Sequence, residues 1–195
     1  CVQSGSDGTD PGSMGFAELE SGRFEEAVVH FRAAISQAPD DPSVPEWHLG
    51  IAEASLELGD LETAVTEAQE TWTTARSNRV RGGAMLVKAR VEAARGNHSR
   101  CAAALAALDT GWLSSEDAGA AEALAGECLS SVETSELLRL RGDDWLEPYV
   151  LFEIWSRYLA QGDTERAALT AGELDRLYPG FREVPQDTLS APASP

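Results

Sequence analysis

Residues 14–39 read MGFAELESGRFEEAVVHFRAAISQAP, two helix-forming stretches separated by a glycine turn at Gly22. The same kind of turn recurs as Gly59-Asp60-Leu61 and as Gly96-Asn97-His98. The three glycines are spaced about 37 residues apart, and a fixed period in this range is typical of repeat arrays. A fourth turn, Gly162-Asp163-Thr164, follows after room for one irregular unit. We therefore predict four or five helical hairpins.

Each turn combines residues that end one helix and begin the next. Glycine adopts the left-handed backbone in which helices commonly end, and Asp or Asn caps the helix that follows. Five positions after each glycine comes a small residue: Ala27, Ala64, Cys101 and Ala167. Small side chains let two helices approach closely, so the pattern predicts tightly packed antiparallel hairpins.

The composition agrees with an all-α fold. The chain has 195 residues with only 9 prolines and 7% aromatic residues, and it is rich in alanine, the strongest helix former. No apolar run approaches the ~18 residues that a membrane span needs. A chain of this length is expected to form one domain or one array.

The first unit resembles the tetratricopeptide repeat in its small, aromatic and proline positions, which are Gly15, Gly22, Phe24, Ala27, Phe31, Ala34 and Pro39. The last unit matches through Gly162, Asp163, Ala167 and Pro179. The resemblance implies an all-α array of about four to five antiparallel hairpins, an α-solenoid, over residues 14–184. Residues 110–144 depart from the pattern; there we predict helices at residues 115–130 and 133–140.

The N-terminal residues 1–13, CVQSGSDGTDPGS, hold almost nothing that could join a core. A cysteine followed by a Gly/Ser/Asp-rich tract resembles a mature bacterial lipoprotein, which implies lipid on Cys1 and a flexible tether. Val2 is not aspartate, and the sorting rule known for such lipoproteins then implies the periplasmic face of the outer membrane. The alternative is an unmodified cysteine at an arbitrary chain boundary. Residues 185–195, rich in Pro, Ser and Ala, are predicted to form a disordered tail.

Charge is distributed unevenly. The net charge of −18 argues against broad binding of nucleic acid or anionic lipid. Residues 76–100 nevertheless carry seven basic side chains and one acidic one. Within this basic segment, the candidates for binding an acidic protein partner are Arg81, Lys88, Arg90 and Arg95. The alternative is that these side chains pair internally with glutamates of neighbouring hairpins.

A second candidate surface is an aromatic stripe at helical spacing: Trp145, Tyr149, Phe152, Trp155 and Tyr158. Aromatic residues with a polar edge are frequent interface anchors. The alternative is that the stripe forms the core of the terminal hairpin.

The sequence contains no catalytic motif that we can recognise. Its three histidines are scattered without metal-ligand spacing. We therefore expect no enzyme activity, no metal and no cofactor other than lipid on Cys1. Cys101 and Cys128 lie in helices predicted to be antiparallel neighbours, where they could form a disulfide or remain two buried thiols.

These observations predict a lipid-anchored periplasmic scaffold or adaptor that binds other proteins and aids the assembly or stability of an outer-membrane or cell-envelope complex. The expected partners are cell-envelope proteins. Neither nucleic acid nor a small-molecule substrate is expected, and membrane contact would be through the lipid anchor alone. One alternative is a permanent structural subunit of a larger membrane complex, and a more remote one is a helical enzyme with an assembled carboxylate site.

Overall fold

The computed structural model describes residues 10–142 and 145–181, which contain ten α-helices, one short 3-10 helix and no strand. This confirms the all-α prediction. The helices are α1 (Pro11–Glu20), α2 (Phe24–Gln37), α3 (Val44–Glu57), α4 (Leu61–Thr74), α5 (Asn78–Ala94), α6 (His98–Ala106), α7 (Ser115–Ser130), α8 (Thr134–Leu137), α9 (Glu147–Ala160) and α10 (Thr164–Leu177), with the 3-10 helix at Thr110–Trp112.

Glycine turns join α1 to α2, α3 to α4, α5 to α6 and α9 to α10. The four glycines have φ between 73° and 78°, a left-handed backbone that residues with a Cβ rarely adopt; they are Gly22, Gly59, Gly96 and Gly162. In each turn the next N–H reaches back to the ending helix, as Asp60 N does to the carbonyl of Ser55 at 2.8 Å. The recurring glycine therefore marks a recurring helix end, as predicted.

Aspartate caps two of the helices that follow these turns. Asp60 Oδ1 accepts from the backbone N–H of Thr63 at 3.1 Å, and Asp163 Oδ1 accepts from that of Arg166 at 3.1 Å. The hydroxyl of Thr63 also donates to Asp60, and these hydrogen bonds lower the pKa of Asp60 because they favour its charged form. The Asp residues of the repeated turn thus start α4 and α10.

The chain divides into two compact units. The first comprises Cys1–Val91 with Gly111–Ser114. Its first core cluster surrounds Phe31 and includes Trp47 and Ile51. Gly15 and Gly50 make room for the Phe31 ring, because a Cβ on either would lie 2.5–2.6 Å from it. A second cluster links α3, α4 and α5 through buried small residues, among them Ala52, Ala64 and Ala84.

The second unit comprises Glu92–Thr110 and Ser115–Pro195, so the division falls within α5. A disulfide joins α6 to α7 between Cys101 and Cys128, whose Cα atoms are 6.1 Å apart. Helix α9 packs on α7 and α8, and it forms the last hairpin with α10. The side chain of Arg157 on α9 donates to carbonyl groups at the end of α7, including Leu129 O at 3.0 Å.

Two boundaries differ from those predicted. Helix α1 begins at Pro11, before the predicted domain start at residue 14, because the Asp10 carboxylate caps the N–H of Ser13 at 3.1 Å and Gly12 is buried. The helix predicted over 133–140 is helical only at Thr134–Leu137, whereas α7 covers the predicted Ser115–Ser130. The predicted tail, the rest of the tether and Cys1 lie outside the described residues.

Candidate partner-binding surfaces

Three of the four candidate cations of the basic segment have partners within their own unit. Lys88 Nζ donates to Gln69 Oε1 at 3.1 Å, and Arg90 Nη2 lies 2.6 Å from Glu57 Oε1. Arg95, which follows the last residue of α5, pairs with Glu92 at 3.2 Å. Opposite charges already face Arg90 and Arg95, which makes them poor candidates for a partner.

Arg81 is arranged differently. Its guanidinium carbon lies 5.9 Å from the centroid of the Trp72 ring, within the range of a cation–π contact. Its Nε is buried without a hydrogen-bond partner in the described part of the chain. Trp72 in turn stacks on Trp112, with ring centroids 6.4 Å apart and planes 29° apart. Arg81 therefore lies beside a tryptophan pair instead of a carboxylate.

Two further arginines of the segment are exposed near the same end of α5. Arg76 lies in the loop between α4 and α5, and Arg79 lies in the first turn of α5. Among residues 10–142 and 145–181, neither side chain forms a hydrogen bond or an ion pair. The sequence count included both residues, but their spacing gave no reason to prefer them. Only the structure distinguishes them from Lys88 and Arg90.

The aromatic stripe packs mainly in the core of the last hairpin, which is one of the two alternatives that the sequence left open. Trp155 is 6% exposed and clusters with Ala167 and Ala171, against which Phe152 packs. The other two aromatic candidates are half-buried. Trp145 Nε1 donates to Leu105 O at 3.1 Å, and the Tyr149 ring makes an edge contact with the Phe181 ring, 4.7 Å between centroids. The regular spacing reflects packing of α9 against its neighbours.

An exposed apolar site instead lies beside α10 in the second unit. Leu138 is 48% exposed and Leu169 is 69% exposed, and both line an open pocket of about 200 Å³. Arg141 also lines it and is held by Glu173 at 2.7 Å and by Glu147 at 3.1 Å. The hydrogen bond that Arg141 donates to Glu173, more than the one that it donates to Glu147, raises the pKa of Arg141. The positive charge of Arg141 at the rim of this pocket is thus already paired with carboxylates.

The titratable groups elsewhere form isolated contacts. His48 Nδ1 lies 2.6 Å from Glu67 Oε2, and His98 Nδ1 is buried without a partner in the described part of the chain. Glu57, which shares a helix face with Glu53, is bonded to Arg90. Over the described ranges, no group of three or more His, Cys, Asp and Glu residues is arranged to hold a metal ion. These contacts are those expected of structural side chains.

Comparison with known proteins shows similarity to a protein family in the first part of the chain. Residues 18–82 match a family model described as tetratricopeptide repeat. The resemblance is thereby confirmed over this stretch, which runs from the last residues of α1 to the start of α5. No curated protein and no solved structure matches the chain. None of the helices in the described residues combines the length and apolar character needed to cross a bilayer.

Proposed function

We propose that this chain, whose residues 18–82 match the tetratricopeptide repeat, is a scaffold that binds other proteins in the bacterial cell envelope. The match is the observation that carries the proposal, because stacked helical hairpins of this kind present extended surfaces for protein partners. Two such surfaces are exposed. One is formed by the exposed arginines of the first unit and the other by the exposed leucines of the second, and no other part of the described chain covers these side chains.

The proposal places the protein on the periplasmic face of the outer membrane, anchored by lipid on Cys1. The disulfide between Cys101 and Cys128 supports an oxidising compartment, since structural disulfides persist there and are rare in reducing cytosol. Several acyl chains would hold the protein at the membrane, at ~0.8 kcal/mol per buried methylene. Partners would then be cell-envelope proteins, and the scaffold would aid assembly or stability of their complex.

Exposed leucines favour a second version of this function, a permanent subunit of a larger membrane complex. Leu169 at 69% exposure and Leu138 at 48% flank one pocket, and apolar side chains grouped in this way often mark a lasting interface. In this version the pocket beside α10 would stay covered throughout the life of the complex. A transient adaptor would instead leave it open for part of the time.

Cross-linking in native membranes tests the proposal. We expect specific protein adducts after mild treatment, identified by mass spectrometry, and a lipid-modified peptide at Cys1. A stoichiometric adduct that survives purification would indicate the permanent subunit, and a substoichiometric one the adaptor. Absence of any specific protein adduct would contradict the scaffold, and an unmodified Cys1 in native membranes would contradict the anchor.

A further inference from the structure

Three arginines occur at the start of α5 or just before it, and one of them, Arg81, lies over the ring of Trp72. On an α-helix successive side chains are rotated by about 100°, so Arg79 and Arg81 leave α5 on different sides with Gly82 between them. Gly82 faces the loop that carries Trp112: a Cβ on it would lie 3.1 Å from the Cβ of Trp112. Arg81 therefore lies on one side of Gly82, over Trp72, and the helical rotation places Arg79 on the other side of Gly82.

The positive charge of these arginines is not neutralised by acidic side chains nearby. No Asp or Glu occurs between Glu70 and Glu92 in the sequence. Arg76 and Arg79 have no side-chain partner, and the buried Nε of Arg81 has none either, as far as the described residues extend. The positive end of the 17-residue helix α5 adds to the same field. In a chain of net charge −18, this is a local reversal of sign.

We propose that Arg76, Arg79 and Arg81, with Trp72 and Trp112, form a binding site for a short acidic segment of a protein partner. Arginine pairs with carboxylates through several N–H groups, which gives directional contacts. The two half-buried tryptophans offer ring surface for an apolar side chain beside those carboxylates. The inference rests on the proposed scaffold function and assigns the chemistry of one partner segment.

The overall charge selects a short segment over an extended polyanion. Charges on the protein surface act over about 8–10 Å at physiological salt. A short acidic segment bound at the three arginines therefore interacts with their positive charge and not with the more distant acidic surface. An anionic membrane or a nucleic acid extends beyond this range and meets the acidic surface that gives the chain its −18 charge.

A peptide titration with matched variants tests the site. The probe is a short fluorescent peptide in which glutamate alternates with leucine, and the full chain is titrated into it. The variant Arg76→Gln/Arg79→Gln removes two exposed cations of the site. The control Arg100→Gln/Arg139→Gln removes two exposed cations elsewhere and reaches the same net charge, and neither control side chain has a partner in the described part of the chain.

We expect the site variant to bind the peptide about fivefold to tenfold more weakly, and the control to stay within about twofold of the parent. Equal losses in the two variants would show a general charge effect and overturn the site. Tighter binding to phosphatidylglycerol vesicles or to single-stranded DNA than to the peptide would overturn its proposed occupant.

Cross-linking of the site variant separates this inference from the scaffold function. If the variant keeps the same protein adducts as the parent in native membranes at undiminished yield, the acidic-segment site is wrong and the scaffold stands. If the parent itself forms no specific adduct, the scaffold function is wrong. Weakened peptide binding together with a reduced adduct yield supports both.

Discussion

The guanidinium of Arg157 on α9 holds the C-terminal end of α7, with Nη2 donating to Leu129 O at 3.0 Å. The same nitrogen donates to Ser130 O at 2.9 Å, and Nη1 donates to Val132 O. Glu153, one turn earlier on α9, fixes the guanidinium through Nε at 2.9 Å. The last carbonyl groups of a helix have no partner within it, so a cation placed there also complements the helix dipole. One side chain thus joins the irregular helix α7 to the last hairpin.

Replacing Arg157 by alanine should therefore destabilise the second unit. The change removes a donor from the half-buried carbonyls of Val132 and Leu129, of which Leu129 O keeps the N–H of Val132, and it removes the ties from α9 to α7. We expect a loss of about 2–3 kcal/mol in the free energy of unfolding. Urea denaturation followed by circular dichroism measures it. The control Arg176→Ala, an exposed arginine of α10 with no side-chain partner in the described residues, should change it by about 0.5 kcal/mol or less. Equal midpoints for the two variants would contradict this role.

Gly50 on α3 is needed to admit the ring of Phe31. A Cβ at this position would lie 2.5 Å from Cε2 of Phe31, much closer than packed atoms allow. Gly50→Ala should therefore cost about 1–3 kcal/mol of stability, although alanine is the better helix former. Gly119→Ala on α7 is the control, because its Cβ would meet nothing within 4 Å; it should stabilise by up to about 1 kcal/mol.

The Phe31→Leu background isolates the steric cause. Leucine is smaller than phenylalanine and leaves space at Gly50, so the penalty of Gly50→Ala should shrink in that background. A double-mutant cycle measured by urea denaturation gives the coupling between the two positions. Additive effects would mean that the penalty of Gly50→Ala does not arise from contact with the Phe31 ring.

The local elements of this fold could be predicted from the sequence because their signals are local. The four glycines of the repeated turn, Gly22, Gly59, Gly96 and Gly162, each end a helix in the left-handed backbone, and α7 covers the predicted residues Ser115–Ser130. The length of α8 could not be predicted: the sequence predicts a helix over residues 133–140, but residues 138–140 continue as turn and bend after a helix of four residues. Propensity alone does not distinguish these states.

The partners of the charged side chains could not be predicted in the same way. Arg90 meets Glu57, and Trp72 meets Trp112, across long sequence separations. Such pairs depend on the register between helices, which neither charge counts nor helical spacing contain. The basic segment was therefore located correctly as a region of positive charge, while the side chains that stay unpaired within it, Arg76 and Arg79, became evident only from the packing.

The disulfide between Cys101 and Cys128 should contribute to stability in the second unit. It closes a loop with a sequence separation of 27 residues. Cross-links of this size typically stabilise by about 2–4 kcal/mol by restricting the unfolded chain. We expect reductant to lower the urea midpoint of the parent and to leave that of Cys101→Ala/Cys128→Ala unchanged. Thiol labelling in denaturant, mapped by peptide mass spectrometry to set aside Cys1, should modify Cys101 and Cys128 only after reduction. Labelling of either one before reduction would contradict the bond.

Asp60 should make part of the stability of the first unit depend on pH. Hydrogen bonds from the side chain and the backbone of Thr63 lower the pKa of Asp60 in the folded chain from its ordinary value of 3.8. The unfolded chain therefore takes up a proton first as the pH falls. The contribution of Asp60 is complete above its ordinary pKa and is lost as the pH falls through the lowered, folded value.

Asp60→Asn tests this linkage, since asparagine keeps an oxygen that can accept from the N–H of Thr63 but does not titrate in this range. Between about pH 6 and pH 3, the free energy of unfolding should fall less in the variant than in the parent, because one titrating cap is missing. Asp175→Asn is the control, as Asp175 is exposed on α10 without a side-chain partner in the described part of the chain. This control should follow the parent. If Asp60→Asn also follows the parent across the whole interval, the hydrogen bonds from Thr63 do not stabilise the charged carboxylate.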